Sequence, residues 1–158
     1  MNLDDLANWL SETPLAYALT DSTWLFGTVE AVHVLALTLV FGSIALVDLR
    51  LVGLAQTGRD PQALLRQWLP LTWTGFGLAA ATGITMIFAN PQGYFTNFFF
   101  KGKLVLLLLA GVNMLVFHFV AAPKLATPGS LAPRVSGAVS LTVWTAIIVF
   151  GRWIGFTI

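Results

Sequence analysis

Cysteine is absent from the chain, which excludes disulfides, thiolate metal sites, iron–sulfur clusters and cysteine nucleophiles. Charge is nearly as scarce. Only 9% of residues are Asp, Glu, Lys or Arg, against about 25% in an average soluble domain. So thin a set does not coat a water-facing surface. The net charge of +1 provides no basic field, so nucleic acid is not an expected partner. No Walker loop, GxSxG or HExxH pattern occurs. A secretory signal would open on a basic segment and then an apolar run. Here Asp4 and Asp5 come first and Glu12 follows, so none is expected.

What fills the chain instead is apolar: 57% of its 158 residues are hydrophobic. They gather into four continuous runs, each with roughly the 20 residues that a bilayer crossing needs. The first runs from about Trp24 to Val47, and Asp48-Leu49-Arg50 closes it with the helix continuing to about Ala55. The others cover about 68–88, 99–122 and 134–156. Residues 56–67, with Arg59, Asp60 and Pro61, are expected as a polar loop, and Pro123 to Pro133 as a Pro/Gly-rich one. Residues 1–20 form an amphipathic helix. Leu3, Leu6, Trp9 and Leu10 share a face, Trp9 anchors the helix at the interface, and Pro14 ends or bends it. The expectation is an all-α integral membrane four-helix bundle forming a single domain, residues 1–158. A β-barrel would need short alternating segments, which these runs are not. Arg50, Arg59, Arg66, Lys124 and Arg134 fall on one side; Lys101, Lys103 and Arg152 fall on the other. The positive-inside rule then places both termini outside, which for a bacterial inner membrane means the periplasm.

Ionisable groups inside spans are costly to bury, so each is a functional hypothesis. Glu30 and His33, three residues apart, share one face of span one. Glu-x-x-His is half of a di-iron pattern, but no further intramembrane carboxylate completes it. The pair reads as a hydrogen-bonded polar couple facing the interior, as a haem or metal ligand beside an acid, or as a proton relay. His118 lies on span three, one turn after Met114. Imidazole and thioether both ligate haem iron, while a structural histidine bonded across helices is the alternative. Counting 1.5 Å per residue from Trp24 and from Lys103, His33 lies about 14 Å deep and His118 about 22 Å. That offset strains a single haem held by both and makes His33 with Met114 more level. It leaves open two sites, or sites shared across a homo-oligomer. Lys103 and Arg152 in the outer half either receive haem propionates, pair with Glu30, or snorkel to the surface. Asp48 and Arg50 read as an ion pair at the inner helix end. Asn113, Ser136, Ser140 and Trp144 offer bonds between helices. Gly75, Gly77, Gly83 and Gly111 offer close helix approach. Phe98-Phe99-Phe100 reads as lipid-facing or interfacial.

Glu30-x-x-His33, Gly42, Asp48-Leu49-Arg50-Leu51, Lys103-Leu104, Asn113, Phe117-His118, Ser140-Leu141-x-x-Trp144 and Gly151-Arg152-Trp153-Ile154 resemble a family of uncharacterised four-helix bacterial membrane proteins. Gly93-Tyr94, Lys103-Leu104, Asn113, Pro123 and Leu125 are similar to the third-helix region of the copper-resistance protein D (CopD) family. Span one resembles that of HemJ-type protoporphyrinogen oxidases, small haem-associated membrane proteins with a first-helix His and a third-helix Lys. That resemblance implicates His33 and Lys103. The leading expectation is a b-type haem protein in membrane redox chemistry, with His33 as first ligand and His118 or Met114 as second. It would pass electrons between quinone and a periplasmic redox partner. Copper or other metal handling is the alternative, and a cofactor-free membrane anchor subunit the third.

Overall fold

A computed structural model describes residues 2–125, 127 and 130–158. The predicted loop 123–133 therefore includes residues 126, 128 and 129, which lie outside the described ones. The chain is all-α among those residues. In place of one helix over 1–20 there are two, α1 (Leu3–Ser11) and α2 (Pro14–Asp21). Pro14 has no amide hydrogen to give to a continuing helix, but it fits the first position of a new one. Thr13 caps that new helix by accepting from the Ala16 amide. Asn2 and Asp5 form a reciprocal capping box at the start of α1.

The long helices are α3 (Leu25–Val52), α4 (Pro61–Ile87), α6 (Phe98–Val116) and α7 (Ala132–Thr157), with the short α5 (Pro91–Thr96) between α4 and α6. Helix α4 begins well before the expected Trp68. Asp60 accepts from the amides of Gln62 and Ala63, and Pro61 occupies the first helical position. Most of the segment read as a loop is therefore a capped helical start. At the end of α3, Gly53 adopts φ 90°, the left-handed cap that lets its amide bond back to Arg50 and Leu49. Past Val116 the helix widens into a π-helical turn, Phe117–Ala121, and then tightens to a 3₁₀ turn, Ala122–Lys124. Pro123, lacking an amide hydrogen and crowding the turn before it, accounts for the break.

Three helices are long and apolar enough to cross a membrane: Leu25–Val52, Phe98–Lys124 and Ala132–Thr157, with mean hydropathies of 2.1, 2.4 and 1.6. Helix α4 matches them in length at 27 residues, but carries Arg66, Gln67 and threonines 72, 74, 82 and 85.

The long helices run alternately up and down. Helix α3 packs against α4 and α7, and α7 packs against α6, while α4 and α6 make at most marginal contact. The arrangement is thus an open arc, α4–α3–α7–α6. Val40, Trp144 and Ile147 form its core, with Leu106, Leu107 and Ala110 of α6 packed on them. Between helices in lipid the driving force is packing rather than water exclusion, so small residues at contacts matter. Gly75 is such a residue. A methyl group there would stand 3.1 Å from Val40 Cγ2 and 3.3 Å from the Ala36 carbonyl oxygen. Gly83 meets the His33 ring in the same way. Gly77 and Gly111, also expected to ease helix approach, face open space instead. Of the phenylalanine tract only Phe98 is largely exposed, at 72%. Phe99 stacks on Trp153 at 5.8 Å, and Phe100 meets Tyr94 edge-on at 5.3 Å.

Gly75→Val should cost about 1–3 kcal/mol through overpacking of α3 on α4. Unfolding of the detergent-solubilised protein in an SDS titration would read this as an earlier midpoint, with Gly77→Val close to the parent protein.

Candidate functional site

The intramembrane polar groups divide between the two ends of the bundle. At the end that carries α1, α2 and α5, His33 on α3 points across to α4. Its Nδ1 lies 2.9 Å from Thr82 Oγ1. The Thr82 hydroxyl has one hydrogen and donates it to the Leu78 carbonyl at 2.7 Å. With that hydrogen given to Leu78, His33 Nδ1 is the donor to Thr82, and the Ala79 backbone also hydrogen-bonds the ring. This fixes the Nδ1–H tautomer and leaves the Nε2 lone pair free, which is the form a metal-ligating imidazole takes. Gly83, whose missing side chain would come within 3.1 Å of His33 Cε1, makes room for the ring.

Lys103 reaches the same level from α6. Its Nζ lies 3.2 Å from where a methyl group on Gly151 of α7 would be, so the ammonium rests against bare α7 backbone. It is close enough for its charge to act on the His33 ring. No carboxylate among the described residues faces it. His33 of α3 and Lys103 of α6 are thus within Coulombic reach of each other, with Gly151 of α7 against the lysine and Thr82 of α4 against the histidine.

The other expected members of this site are elsewhere. Glu30 does not join His33 as an interior couple. It is exposed, and its carboxylate acts on Tyr94 of α5. Three residues of helix put both side chains on one broad face, but His33 leans toward α4 and Glu30 toward the α5 corner. Arg152 is exposed, one residue from Gly151, with its guanidinium 4.5 Å over the Phe156 ring rather than paired with Glu30. His118 sits in the π-helical turn, exposed, with its ring edge-on to Phe119. It lies fifteen residues beyond Lys103, about 22 Å further along the helix. The arrangement therefore does not bring His33 and His118 together. Met114, 42% exposed, lies eleven residues beyond Lys103 and does not reach His33 either.

At the opposite end the polar groups surround a cavity of about 240 Å³ enclosed by all four long helices. Asn113 and Ser136 close on each other: Asn113 Nδ2 donates to the Ser136 carbonyl at 3.1 Å, and Ser136 Oγ donates to Asn113 Oδ1 at 3.2 Å. Trp144 and Ser140 line the same space. Asp48 lines it too and is only 6% exposed. It does not pair with Arg50, as the inner helix-end reading expected. Arg50 turns outward and donates from Nε to the Arg59 carbonyl at 2.7 Å, bracing the α3–α4 connection. Positions i and i+2 on a helix diverge by about 200°, so Asp48 and Arg50 do not face each other.

Thr82 was not among the residues singled out from sequence, nor was the bond between Ser43 and Thr72, which joins the same two helices at 2.7 Å. Threonine hydroxyls inside spans commonly satisfy themselves on the preceding turn, as Thr82 does, so their identity alone carries little signal. The pairing becomes readable only with the helix register, in which residues 33 and 82, and 43 and 72, face each other.

Tyr94 lies outside the long helices and is 8% exposed. Burial, and after it the Glu30 carboxylate, raise its phenol above the ordinary value. The protein has two tyrosines, so a Tyr17→Phe background isolates Tyr94. Adding Glu30→Gln removes a negative charge that opposes tyrosinate, and ultraviolet titration at alkaline pH should show ionisation at lower pH.

A protein-family model described as a family of unknown function (DUF6644) matches residues 8–157. No curated protein and no solved structure matches the chain.

Proposed function

The chain belongs to DUF6644, and from the geometry around His33 we propose a four-span protein of the bacterial inner membrane that binds one haem b and serves membrane redox chemistry. The observation carrying the reading is the convergence of His33 and Lys103. His33 presents an uncommitted Nε2 whose ring is held from behind by Thr82. Lys103 brings a cation within reach of it, with no carboxylate among the described residues to neutralise the charge. A histidine ligand with a fixed tautomer, next to a cation suited to a propionate, is the donor set that a b-type haem takes. The same two positions are those implicated by the resemblance to haem-associated membrane proteins. Arg152, at the same end of α7, is the second propionate candidate.

When bound, haem supplies a one-electron couple. The chain's own residues orient the ligand through Thr82 and offset propionate charge through Lys103. With His118 and Met114 distant from His33, His33 is the residue of this set that would hold the haem iron. Quinone and a periplasmic redox protein remain the proposed electron partners.

Purified protein should show a Soret band with α and β bands sharpening on dithionite reduction. His33→Ala should abolish haem retention, and Thr82→Val should weaken it by roughly 10–100-fold, as loss of a partner behind a ligand does. A featureless visible spectrum at full haem supply would sink the reading, and metal analysis of the same sample would then decide for or against a copper handler.

The four-span topology has its own test. In it α4 crosses the bilayer despite its threonines, both termini are periplasmic, and Arg50, Arg59, Arg66, Lys124 and Arg134 are cytoplasmic. The chain has no native cysteine, so single replacements report cleanly. In spheroplasts a membrane-impermeant maleimide should label Gln92→Cys and Ser11→Cys and spare Gly58→Cys; labelling of Gly58→Cys and Gln92→Cys alike would show that α4 does not cross.

A further inference from the structure

The cavity around Asp48 has chemistry of its own. It lies fifteen residues along α3 from His33, about 22 Å, so it stands or falls independently of any haem. Its volume of about 240 Å³ exceeds the roughly 150 Å³ of an apolar cavity that admits benzene. Trp73, Phe76, Phe117 and Trp144 contribute four aromatic rings to its walls. Helices α4 and α6 make at most marginal contact, and with α4 crossing the bilayer, as proposed above, that gap gives a membrane-dissolved molecule a lateral way in.

Most polar groups in the walls are already satisfied. Asn113 and Ser136 bond to each other. Ser43 and Thr72 do the same, and each hydroxyl also contacts a backbone carbonyl of its own helix. Asp48 is the exception. It is buried; Ser140 hydrogen-bonds its carboxyl group, but Oδ2 has no hydrogen-bond partner among the described residues. No basic side chain lines the cavity among them, and Arg50 is committed to the Arg59 carbonyl. A buried carboxyl oxygen without a donor is expensive, and an ionisable group in a membrane span is a functional hypothesis by default. The open position at Oδ2 is available to a donor from outside the chain.

The walls choose among candidates. An anion would meet a carboxylate and no cation. A divalent metal would find one carboxylate where it needs several oxygen ligands. A neutral acceptor such as a quinone suits only the protonated acid, from which it would accept, and leaves the charge of the ionised form unanswered. An organic ammonium ion brings both the charge and the donor, and aromatic faces attract cations further.

We propose that this cavity binds a lipophilic organic ammonium ion, which enters from the bilayer between α4 and α6, donates a hydrogen bond to Asp48 and packs its apolar body among Trp73, Phe76, Phe117 and Trp144. Such a ligand has around ten heavy atoms, by the scale of benzene in its smaller cavity.

The test is equilibrium binding of radiolabelled 2-phenylethylammonium to the full chain in lipid nanodiscs. Propylbenzene, its neutral isostere, and duroquinone, which offers only acceptors, serve as competitors. Saturable binding at one ligand per chain is expected, with neither competitor displacing it. Asp48→Asn should weaken it at least tenfold, and Asp48→Glu should keep most of it. Gly111 lines the cavity with open space where its side chain would be, so Gly111→Leu should fill the cavity and block binding even if Asp48→Asn fails to fold. Absence of saturable binding, equal affinity for propylbenzene, displacement by duroquinone, or unchanged binding in Asp48→Asn or Gly111→Leu would each overturn the proposal.

Discussion

The close approach of α3 and α4 sets the position of nearly everything else. Gly75 lets the two backbones come near enough that a methyl group would already press on Val40 and Ala36. At that separation short side chains reach across. Ser43 bonds Thr72 in the middle of the pair, and His33 bonds Thr82 nearer the end that carries α1 and α2. In lipid each such bond contributes modestly, about 0.6 kcal/mol on average. Their larger effect is on register. The His33 tautomer, and with it the availability of Nε2, depends on Thr82 being opposite.

The counterpart of that tight pair is a contact that is not made. Because α4 and α6 scarcely touch, the four long helices do not close into a ring, and the interior toward the Asp48 end stays open. A closed bundle with the same residues would bury Asp48 against packed side chains at a prohibitive cost. The open arc turns the same carboxylate into the floor of a chamber. The two polar centres therefore owe their character to opposite features of the packing: one to contact, the other to its absence.

Much of the architecture was legible in the sequence. The three most apolar runs became helices within a few residues of the expected bounds, since continuous hydrophobicity over some twenty residues admits few alternatives. The start of α4 was misread because Arg59, Asp60 and Pro61 look like loop chemistry, whereas Asp-Pro is also a helix cap followed by a proline at the first position. The site was legible by halves. His33 and Lys103 stood out as charged or titratable residues in apolar surroundings. Where their neighbours lay was not, because depth counted from an assumed span edge carries an error of several residues. Lys103 was taken as that edge, yet α6 begins at Phe98. The cavity was legible only as separate residues: Asp48, Asn113, Ser136, Ser140 and Trp144 stood out along three helices, but only the packing brings them around one space.

The two bonds between α3 and α4 also divide the sequence into parts that evolution can and cannot lengthen. Ten residues separate His33 from Ser43, and ten separate Thr72 from Thr82. The connection between the helices takes no part in that equality, so insertions there leave the pairing intact. One residue added between Thr72 and Thr82 would rotate the distal threonine by about 100° and shift it 1.5 Å along the axis. Spacing within the two helices is thus the inherited quantity, and the length of the turn that joins them is free to drift.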